Sequence, residues 1–310
     1  MPNRAPHVAL VSTHAALTLD EDLPPLLAAL RRAGAQVTTP CWDDAAVDWS
    51  QFDLAVLRST WNYVDHIAEF RAWTRRCAQQ TLLLNPPEVV DWNTDKHYLV
   101  HLHRAGVPVV PSRFVEPGDD ARSCLQHFLA GAPDALSAGS PVAFDQFVIK
   151  PAIGAGSRDT ARYRCIEAGK ALVHLSRLVD DERRSALLQP YLGSVDSEGE
   201  TALIYFGGQA SHAIRKGPLL QLDAGLVAGL FAPEDIRARE PGADERALAA
   251  AAYAAIPFAA PLYARIDMIR DDRGVPVILE LEMTEPSVFF AHAPGSADRF
   301  AGALLARCRS

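Results

Sequence analysis

Three carboxylates near the end of the 310-residue sequence lie on what its pattern predicts to be a β-hairpin. Aliphatic and β-branched residues fill both flanks, 264–269 and 277–282, and the turn between them contains a glycine. Pairing would bring Asp267 close to Glu280 and Glu282, and the two glutamates share one face because they are two residues apart. Converging carboxylates repel one another unless a cation neutralises them, and their hard oxygens suit Mg²⁺ or Mn²⁺ carrying nucleotide phosphates. The hairpin indicates a metal–nucleotide site, although the same alternation is typical of an ordinary half-exposed strand.

A lysine and a small-residue loop upstream could bind phosphate. Lys150 ends a predicted strand over 147–151, and the loop that follows contains Gly154, Gly156 and Ser157. A lysine can contact phosphate oxygens, while a loop nearly free of Cβ atoms lets backbone N–H groups approach them. The sequence contains neither GxxxxGK[ST] nor GxGxxG, which excludes the nucleotide-binding families that those fingerprints define.

Polar residues that could contact a substrate follow a buried strand of the N-terminal region. The first 90 residues or so alternate strands and helices, which predicts a small parallel α/β domain. Ligands of open α/β sheets collect at the carboxyl ends of the strands. One such end carries an anion-binding fork and hydroxyl groups, at Arg58, Ser59, Thr60 and Trp61. A polar loop that covers a helix end would have the same composition.

The remaining segments give weaker indications. A helix is predicted over 94–105 with Lys96 in its first turn, then an edge-like strand over 107–111 and an irregular region over 116–141. Further on, the basic pair Arg215 and Lys216 could hold a γ-phosphate or a substrate carboxylate, or could form a solvated basic turn.

Composition narrows the classes of partner. The sequence has 49% hydrophobic residues and a formal charge of −8, from 38 acidic and 30 basic residues. This charge gives no electrostatic reason to expect nucleic acid or an anionic membrane as a partner. Five scattered cysteines without a CxxC pair predict reduced thiols. No apolar run reaches the roughly 20 residues that span a bilayer, and no signal peptide is recognised, so a cytoplasmic location is predicted.

Taken in order, these segments resemble the ATP-grasp superfamily of carboxylate-activating ligases. The resemblance covers about residues 90 to 290 and rests on five short segments, at 93–96, 147–151, 188–192, 265–267 and 280–282. It implies a mixed α/β and α+β fold in which ATP lies between two α+β lobes. The implied division is a parallel α/β domain over 1–92, a central lobe over 93–187 and a C-terminal lobe with the metal site over 188–310.

The resemblance also implies roles for residues at matching positions. The ATP-binding set is Lys96 and Lys150 on the phosphates, Gly154, Gly156 and Ser157 above them, Gln189, Tyr191 and Leu192 around adenine, and Glu200 or Asp196 on the ribose. Asp267, Glu280 and Glu282 would bind two Mg²⁺ ions, with Mn²⁺ as a substitute. The superfamily commonly has Glu-x-Asn where this chain has Glu280-x-Glu282, which makes the predicted site more anionic.

The implied reaction transfers the γ-phosphoryl group of ATP to a substrate carboxylate and releases ADP. A nitrogen then attacks the resulting acylphosphate. Phosphoryl transfer depends on positioning and charge neutralisation, for which Lys150, Arg215 and Arg265 are the candidate catalytic residues. Arg265 could stabilise the acyl oxyanion, or could simply form a salt bridge with neighbouring acids.

The segments 57–63, 92–96 and 280–287 most resemble the cyclo-ligase branch of the superfamily, in which O-ureido-D-serine is closed to D-cycloserine. This implies a small amino-acid-like substrate, with Arg58, Ser59, Thr60, Trp61 and Lys216 as its candidate contacts. Two alternatives stay open. One is an intermolecular ligase similar to glutathione synthetase or to glutamate-adding enzymes, and the other is a non-catalytic nucleotide-binding module. A homodimer is plausible.

Overall fold

A computed structural model of the chain describes residues 4–131, 136, 144–222 and 235–308. The described residues contain three four- or five-stranded sheets. The first is parallel, with strand order β2-β1-β3-β4, and two helices pack on it. This confirms the parallel α/β domain expected from the alternating pattern. Its elements are β1 His7–Ser12, α1 Leu23–Arg32, β2 Gln36–Thr38, β3 Leu54–Ser59, α2 Ile67–Ala78 and β4 Leu82–Leu84.

Two helices lead from this domain into the second sheet. They are α3, Pro87–Asn93, and α4, Tyr98–Arg104, so the helix predicted over 94–105 starts later than expected. Lys96 lies in the turn between them and not in a helical first turn. The reason is local, because the Asp95 carboxylate accepts the backbone N–H of His97 at 3.1 Å and offers the chain a turn in place of a helix.

The second sheet is antiparallel and has the order β5-β8-β6-β7. Its elements are β5 Arg113–Val115, α5 Ala121–Leu129, β6 Gln146–Pro151, β7 Ala161–Arg164, α6 Ala168–Ser176 and β8 Ala186–Pro190. The strand expected over 107–111 is reduced to a single bridge between Val109 and Ile278.

The prediction of an irregular region over 116–141 is wrong for its first half. Asp120 caps α5 by accepting the N–H of Arg122 at 3.2 Å, and Leu125 and Phe128 anchor the helix in the core of this lobe. Helical burial of two large apolar side chains therefore outweighs the Gly, Pro and Ala content of the segment. Residues 132–135 and 137–141 of the predicted irregular region lie outside the described residues.

The third sheet is antiparallel with the order β11-β10-β9-β12-β13. Its strands are β9 Glu200–Phe206, β10 Gln209–Lys216, β11 Ile236–Arg239, β12 Tyr263–Arg270 and β13 Pro276–Glu282. The helices of this part are α7 Ser194–Glu198, α8 Ala243–Ala254 and α9 Ser296–Arg307. The expected hairpin is confirmed as β12 and β13, with Asp267 opposite Glu280 and Arg265 opposite Glu282.

Hydrophobic cores extend across the boundaries between the predicted domains 1–92, 93–187 and 188–310. Leu26 and Leu30 of α1 pack with Phe300 and Leu304 of α9, so the end of the chain covers the N-terminal sheet. The bound between residues 187 and 188 falls inside β8. The division of the chain into these three domains stays a prediction. No helix in the described part of the chain is long and apolar enough to cross a membrane.

An irregular segment, residues 283–290, follows β13 and ends where a short 3-10 helix begins at Phe290. Side chains from the N-terminal domain and from the third sheet fix this segment. Every residue in it has a backbone group bonded to a side chain. Asp22 makes the densest contact, because its carboxylate accepts the N–H groups of Val288, Phe289 and Phe290 at 2.6, 3.0 and 2.8 Å. These bonds hold Phe289 in the left-handed region at φ 56°, which a bulky residue rarely adopts.

Replacing Asp22 with Ala should destabilise the protein. The substitution leaves three backbone N–H groups, two of them buried, without their acceptor, and we expect the free energy of unfolding to fall by about 3 kcal/mol. Glu21→Ala, at the exposed neighbouring position, is the matched control and should change it by less than about 0.5 kcal/mol. Urea denaturation followed by circular dichroism measures both. Equal midpoints for the two variants would contradict this account of the segment.

Candidate active site

A cleft lies between the second and third sheets, and the N-terminal domain closes one end of it. Most of the site residues predicted from the sequence line this cleft. They are Trp61, Lys96, Lys150, Gly154, Gly156, Ser157, Gln189, Tyr191, Leu192, Glu200, Lys216, Arg265, Asp267, Glu280 and Glu282. Strand alternation explains how residues so distant in sequence converge here. The inner faces of β6 and β8 supply one wall, and those of β9, β10, β12 and β13 supply the other.

Lys150 of the first wall and Lys96 of the turn between α3 and α4 meet Glu280 of the second wall. The Lys150 ammonium lies 2.7 Å from the Glu280 carboxylate, and that of Lys96 lies 3.9 Å from the same oxygen. Lys96 also donates to the Gly154 carbonyl at 3.2 Å, which ties it to the small-residue loop. Burial alone would raise the pKa of Glu280, but the two ammonium groups outweigh it and hold that pKa well below its usual range. Glu280 is therefore a charged carboxylate inside the protein.

Asp267 is neutralised by a second pair of cations. The Lys216 ammonium lies 2.8 Å from Asp267 and 2.8 Å from Glu200. The Arg265 guanidinium donates to both carboxylate oxygens of Asp267, at 2.9 Å each for its nearest nitrogens, and also contacts Glu282. Burial would raise the pKa of Asp267, and Arg265 and Lys216 lower it on balance. Burial raises the pKa values of Glu200 and Glu282 in spite of these cations.

The three predicted metal ligands do not form a preassembled group. Within the described ranges, no set of three or more acidic, histidine or cysteine side chains is arranged to hold a metal ion. The physical reason is that Asp267, Glu280 and Glu282 each face a lysine or an arginine. The donor chemistry still suits Mg²⁺, because all three side chains offer hard carboxylate oxygens.

Asp196 does not reach the cleft, although it was a candidate for the ribose. It accepts a hydrogen bond from the Tyr191 hydroxyl at 2.6 Å and pairs with Arg162 at 3.0 Å. The Arg162 guanidinium in turn lies 3.4 Å from the centre of the Tyr191 ring. Asp196 thus orients Tyr191 from behind, and Glu200 is the acid that faces the cleft. Sequence reasoning missed Arg162, since a single arginine on a strand carries no motif.

Arg215 also lies outside the cleft, which corrects its placement among the candidate catalytic residues. Its side chain donates to the Glu198 carbonyl at 2.7 Å and lies 3.5 Å from Asp235. Arg215 and Lys216 are consecutive residues at the end of β10 and not a turn after it, so they point to opposite faces of the sheet. Only Lys216 faces the carboxylates.

Three of the four candidate substrate contacts in the N-terminal domain are buried away from the cleft. Arg58, Ser59 and Thr60 are at most 1% exposed. Arg58 donates to the Pro286 carbonyl at 3.1 Å and lies 3.7 Å from Asp22, so it holds the 283–290 segment and not a ligand. Trp61 does line the cleft.

The same end of the cleft contains side chains that were not proposed as contacts. They are Tyr63, Glu285, Ser287 and Phe289. Burial, with the nearby charge of Glu282, raises the pKa of Glu285 to about 8. The sequence gives no periodic signal for them, because the 283–290 segment is neither helix nor strand. The arrangement as a whole offers lysines for phosphate, carboxylates for a cation and a separate polar pocket for a small substrate.

Comparisons with known proteins agree with this geometry. Residues 8–85 match the family described as "D-cycloserine synthetase DcsG, N-terminal domain". The chain is 40% identical to the cycloserine biosynthesis protein DcsG of Streptomyces lavendulae, over 97% of this chain and 99% of that protein. The crystal structure of D-cycloserine synthetase DcsG superposes with a TM-score of 0.89 at 38% identity, covering 97% of this chain and 99% of that one.

More distant structures share the fold alone. A D-alanine–D-alanine ligase from Bacillus anthracis superposes with a TM-score of 0.65 at 16% identity, over 98% of this chain and 96% of that chain. An ATP-grasp ligase, PsnB, gives 0.64 at 18% identity over 98% and 99% of the two chains. The expected ATP-grasp fold and the expected carbon–nitrogen ligase are thereby confirmed, and a non-catalytic module is set aside.

The neighbours Lys216 and Arg215 provide a matched pair of variants. Lys216→Met removes the cation shared by Asp267 and Glu200, and we expect ATP-dependent ADP formation to fall at least 100-fold. Arg215→Met alters only the opposite face of β10 and should stay within about threefold of the unaltered protein. A coupled ADP assay measures both, with circular dichroism to verify folding. A larger loss for Arg215→Met than for Lys216→Met would contradict the assignment of faces.

Proposed function

The chain belongs to the D-cycloserine synthetase family of ATP-grasp ligases, and from this premise we propose that it activates the carboxylate of O-ureido-D-serine with ATP and closes it to D-cycloserine. The observation that carries the proposal is the cleft in which Lys150 and Glu280, 2.7 Å apart, face Arg265 and Asp267. The cleft thus holds cations that could bind phosphate and carboxylates that could bind a metal ion, and this combination supports the proposal. An ATP-dependent phosphoryl transfer needs both.

The nucleotide occupies the lysine-rich end of the cleft in this proposal. Lys96 and Lys150 contact the phosphates, and the loop that contains Gly154 and Gly156 covers them. The ring of Tyr191 packs beside adenine, while Glu200 accepts from the ribose hydroxyls. Leu192, Val148 and Ile269 supply apolar surface at this end, which suits an aromatic base.

Mg²⁺ fits the chemistry of the carboxylates in this site. Asp267, Glu280 and Glu282 would hold it, and when bound it neutralises charge on the phosphate oxygens of ATP. Lys150 and Lys216 already balance the same carboxylates. Both lysines are therefore near enough to pass from carboxylate to phosphate as the nucleotide binds.

The proposed chemistry has two steps. An oxygen of the substrate carboxylate attacks the γ-phosphorus, which forms an acylphosphate and releases ADP. The nitrogen attached to the side-chain oxygen then attacks the acyl carbon and closes a five-membered ring, and inorganic phosphate leaves with the former carboxylate oxygen. Water then cleaves the bond between that nitrogen and the carbamoyl carbon, and the carbamoyl group leaves as carbamate, which decomposes to CO₂ and ammonia. Arg265 faces the acyl oxygen as its negative charge develops, which lowers the barrier to both steps.

Labelled substrate tests this sequence directly. O-ureido-D-serine with ¹⁸O in its carboxylate should yield phosphate that carries one ¹⁸O atom, together with ADP, when only ATP and Mg²⁺ are added. Mass spectrometry of the phosphate and the product measures both. Unlabelled phosphate would contradict the acylphosphate. ADP formation that requires an added amine would replace cyclisation by the intermolecular ligase reaction.

A further inference from the structure

Glu285 has a carboxyl group to which the proposed binding of nucleotide and metal assigns no role. It is 8% exposed, and it lines the cleft at the end that the N-terminal domain closes. In the part of the chain that the structure describes, no lysine, arginine or histidine lies within ion-pair distance of it. Its neighbours Glu280 and Glu282, by contrast, each pair with a cation. Glu285 is therefore a nine-tenths buried acid that faces a ligand cleft without a counter-ion from the described residues.

The surroundings of Glu285 favour a cation and hold the acid in place. Its backbone carbonyl accepts the indole N–H of Trp61 at 3.3 Å, and the Tyr63 hydroxyl lies beside its carboxyl group. Both aromatic side chains line the same end of the cleft. Aromatic faces attract ammonium groups, and an ammonium group bound here would supply the counter-charge that favours the ionised form of this buried carboxyl group.

The position of Glu285 relative to Arg265 suits an α-amino acid. The Arg265 guanidinium donates to the Ser287 carbonyl at 3.0 Å, two residues along the same segment from Glu285. In an α-amino acid, the ammonium nitrogen lies about 2.5 Å from the carboxyl carbon. A substrate whose carboxylate is activated beside Arg265 therefore has its ammonium group near that guanidinium. Glu285 lines the same cleft and is close enough for the charge of Arg265 to act on its carboxyl group.

We propose that Glu285, flanked by Trp61 and Tyr63, accepts the α-ammonium group of the substrate and so selects α-amino acids for activation. This assignment rests on the proposed function, because it requires a small carboxylate substrate. It deepens that function by making the free ammonium group the feature that the cleft recognises. Arg58 and Asp22 then act as positioning residues, since they fix the segment that displays Glu285.

Paired substrates test the assignment. Steady-state ADP formation is measured with O-ureido-D-serine and with its analogue that lacks the α-amino group, in the unaltered protein and in Glu285→Gln. Loss of a charge-assisted hydrogen bond should lower kcat/KM for the amino acid at least tenfold, mainly through KM. The analogue should change less than threefold, and so should the KM values for ATP and Mg²⁺. Glu240→Gln, at an exposed position, is the control and should leave kcat/KM unchanged for both substrates.

Two results would overturn the role of Glu285. An equal loss for both substrates would point to a structural role, and a shift in the KM for Mg²⁺ would make Glu285 part of the metal site. If the unaltered protein releases no ADP with O-ureido-D-serine, the proposed function fails by itself. A panel of amino acids and their desamino analogues then repeats the comparison. A panel in which only acids without an ammonium group support ADP release would overturn the assignment.

Discussion

Charge compensation inside the cleft is the constraint on which the rest of the structure depends. Asp267 and Glu280 lie opposite each other on β12 and β13. Asp267 is buried, and Glu280 is half-buried in the cleft. Removing two like charges from water costs several kcal/mol for each ion unless cations lie close by. Lys150, Lys216 and Arg265 meet that requirement, and they come from three strands in two sheets. Arg265 and Lys216 belong to the same sheet as Asp267, whereas Glu280 depends on Lys150 of the second sheet, so the two sheets must face each other for Glu280 to remain ionised.

The N-terminal domain makes a different contribution, because it fixes the 283–290 segment at one end of the cleft. The 283–290 segment has no regular secondary structure, so its backbone groups find partners among side chains from elsewhere in the fold. Asp22 and Arg58 supply four of these hydrogen bonds from the N-terminal domain. Packing of α9 against α1 reinforces the same contact. A segment without regular secondary structure can keep a fixed geometry at a binding site when its backbone N–H and C=O groups have hydrogen-bond partners in this way.

Local pattern predicted the parts of the site that lie on regular strands. The alternation around Asp267, Glu280 and Glu282 gave the hairpin and the shared face, and Lys150 followed from its position at the end of a β-branched strand. Arg215 and Lys216 were predicted as a pair, but only Lys216 lines the cleft. Consecutive strand residues point to opposite faces, and the sequence does not fix the register that decides which of them points inward. The sequence could not predict the surroundings of Arg58 and Glu285, because their hydrogen-bond partners lie more than 200 positions away in the chain. The helix α5 was missed because its tertiary burial, and not its composition, decides its structure.

Calorimetric titration with ATP, in the presence and absence of Mg²⁺, tests most directly whether this cleft is a metal–nucleotide site. The account predicts that Mg²⁺ strengthens ATP binding to the unaltered protein and that Glu280→Gln abolishes most of that gain. In the presence of Mg²⁺, the dissociation constant for ATP should be at least tenfold larger for Glu280→Gln than for the unaltered protein. It also predicts little difference between the two proteins without Mg²⁺. Equal affinities of the unaltered protein and Glu280→Gln for ATP in the presence of Mg²⁺ would contradict the account.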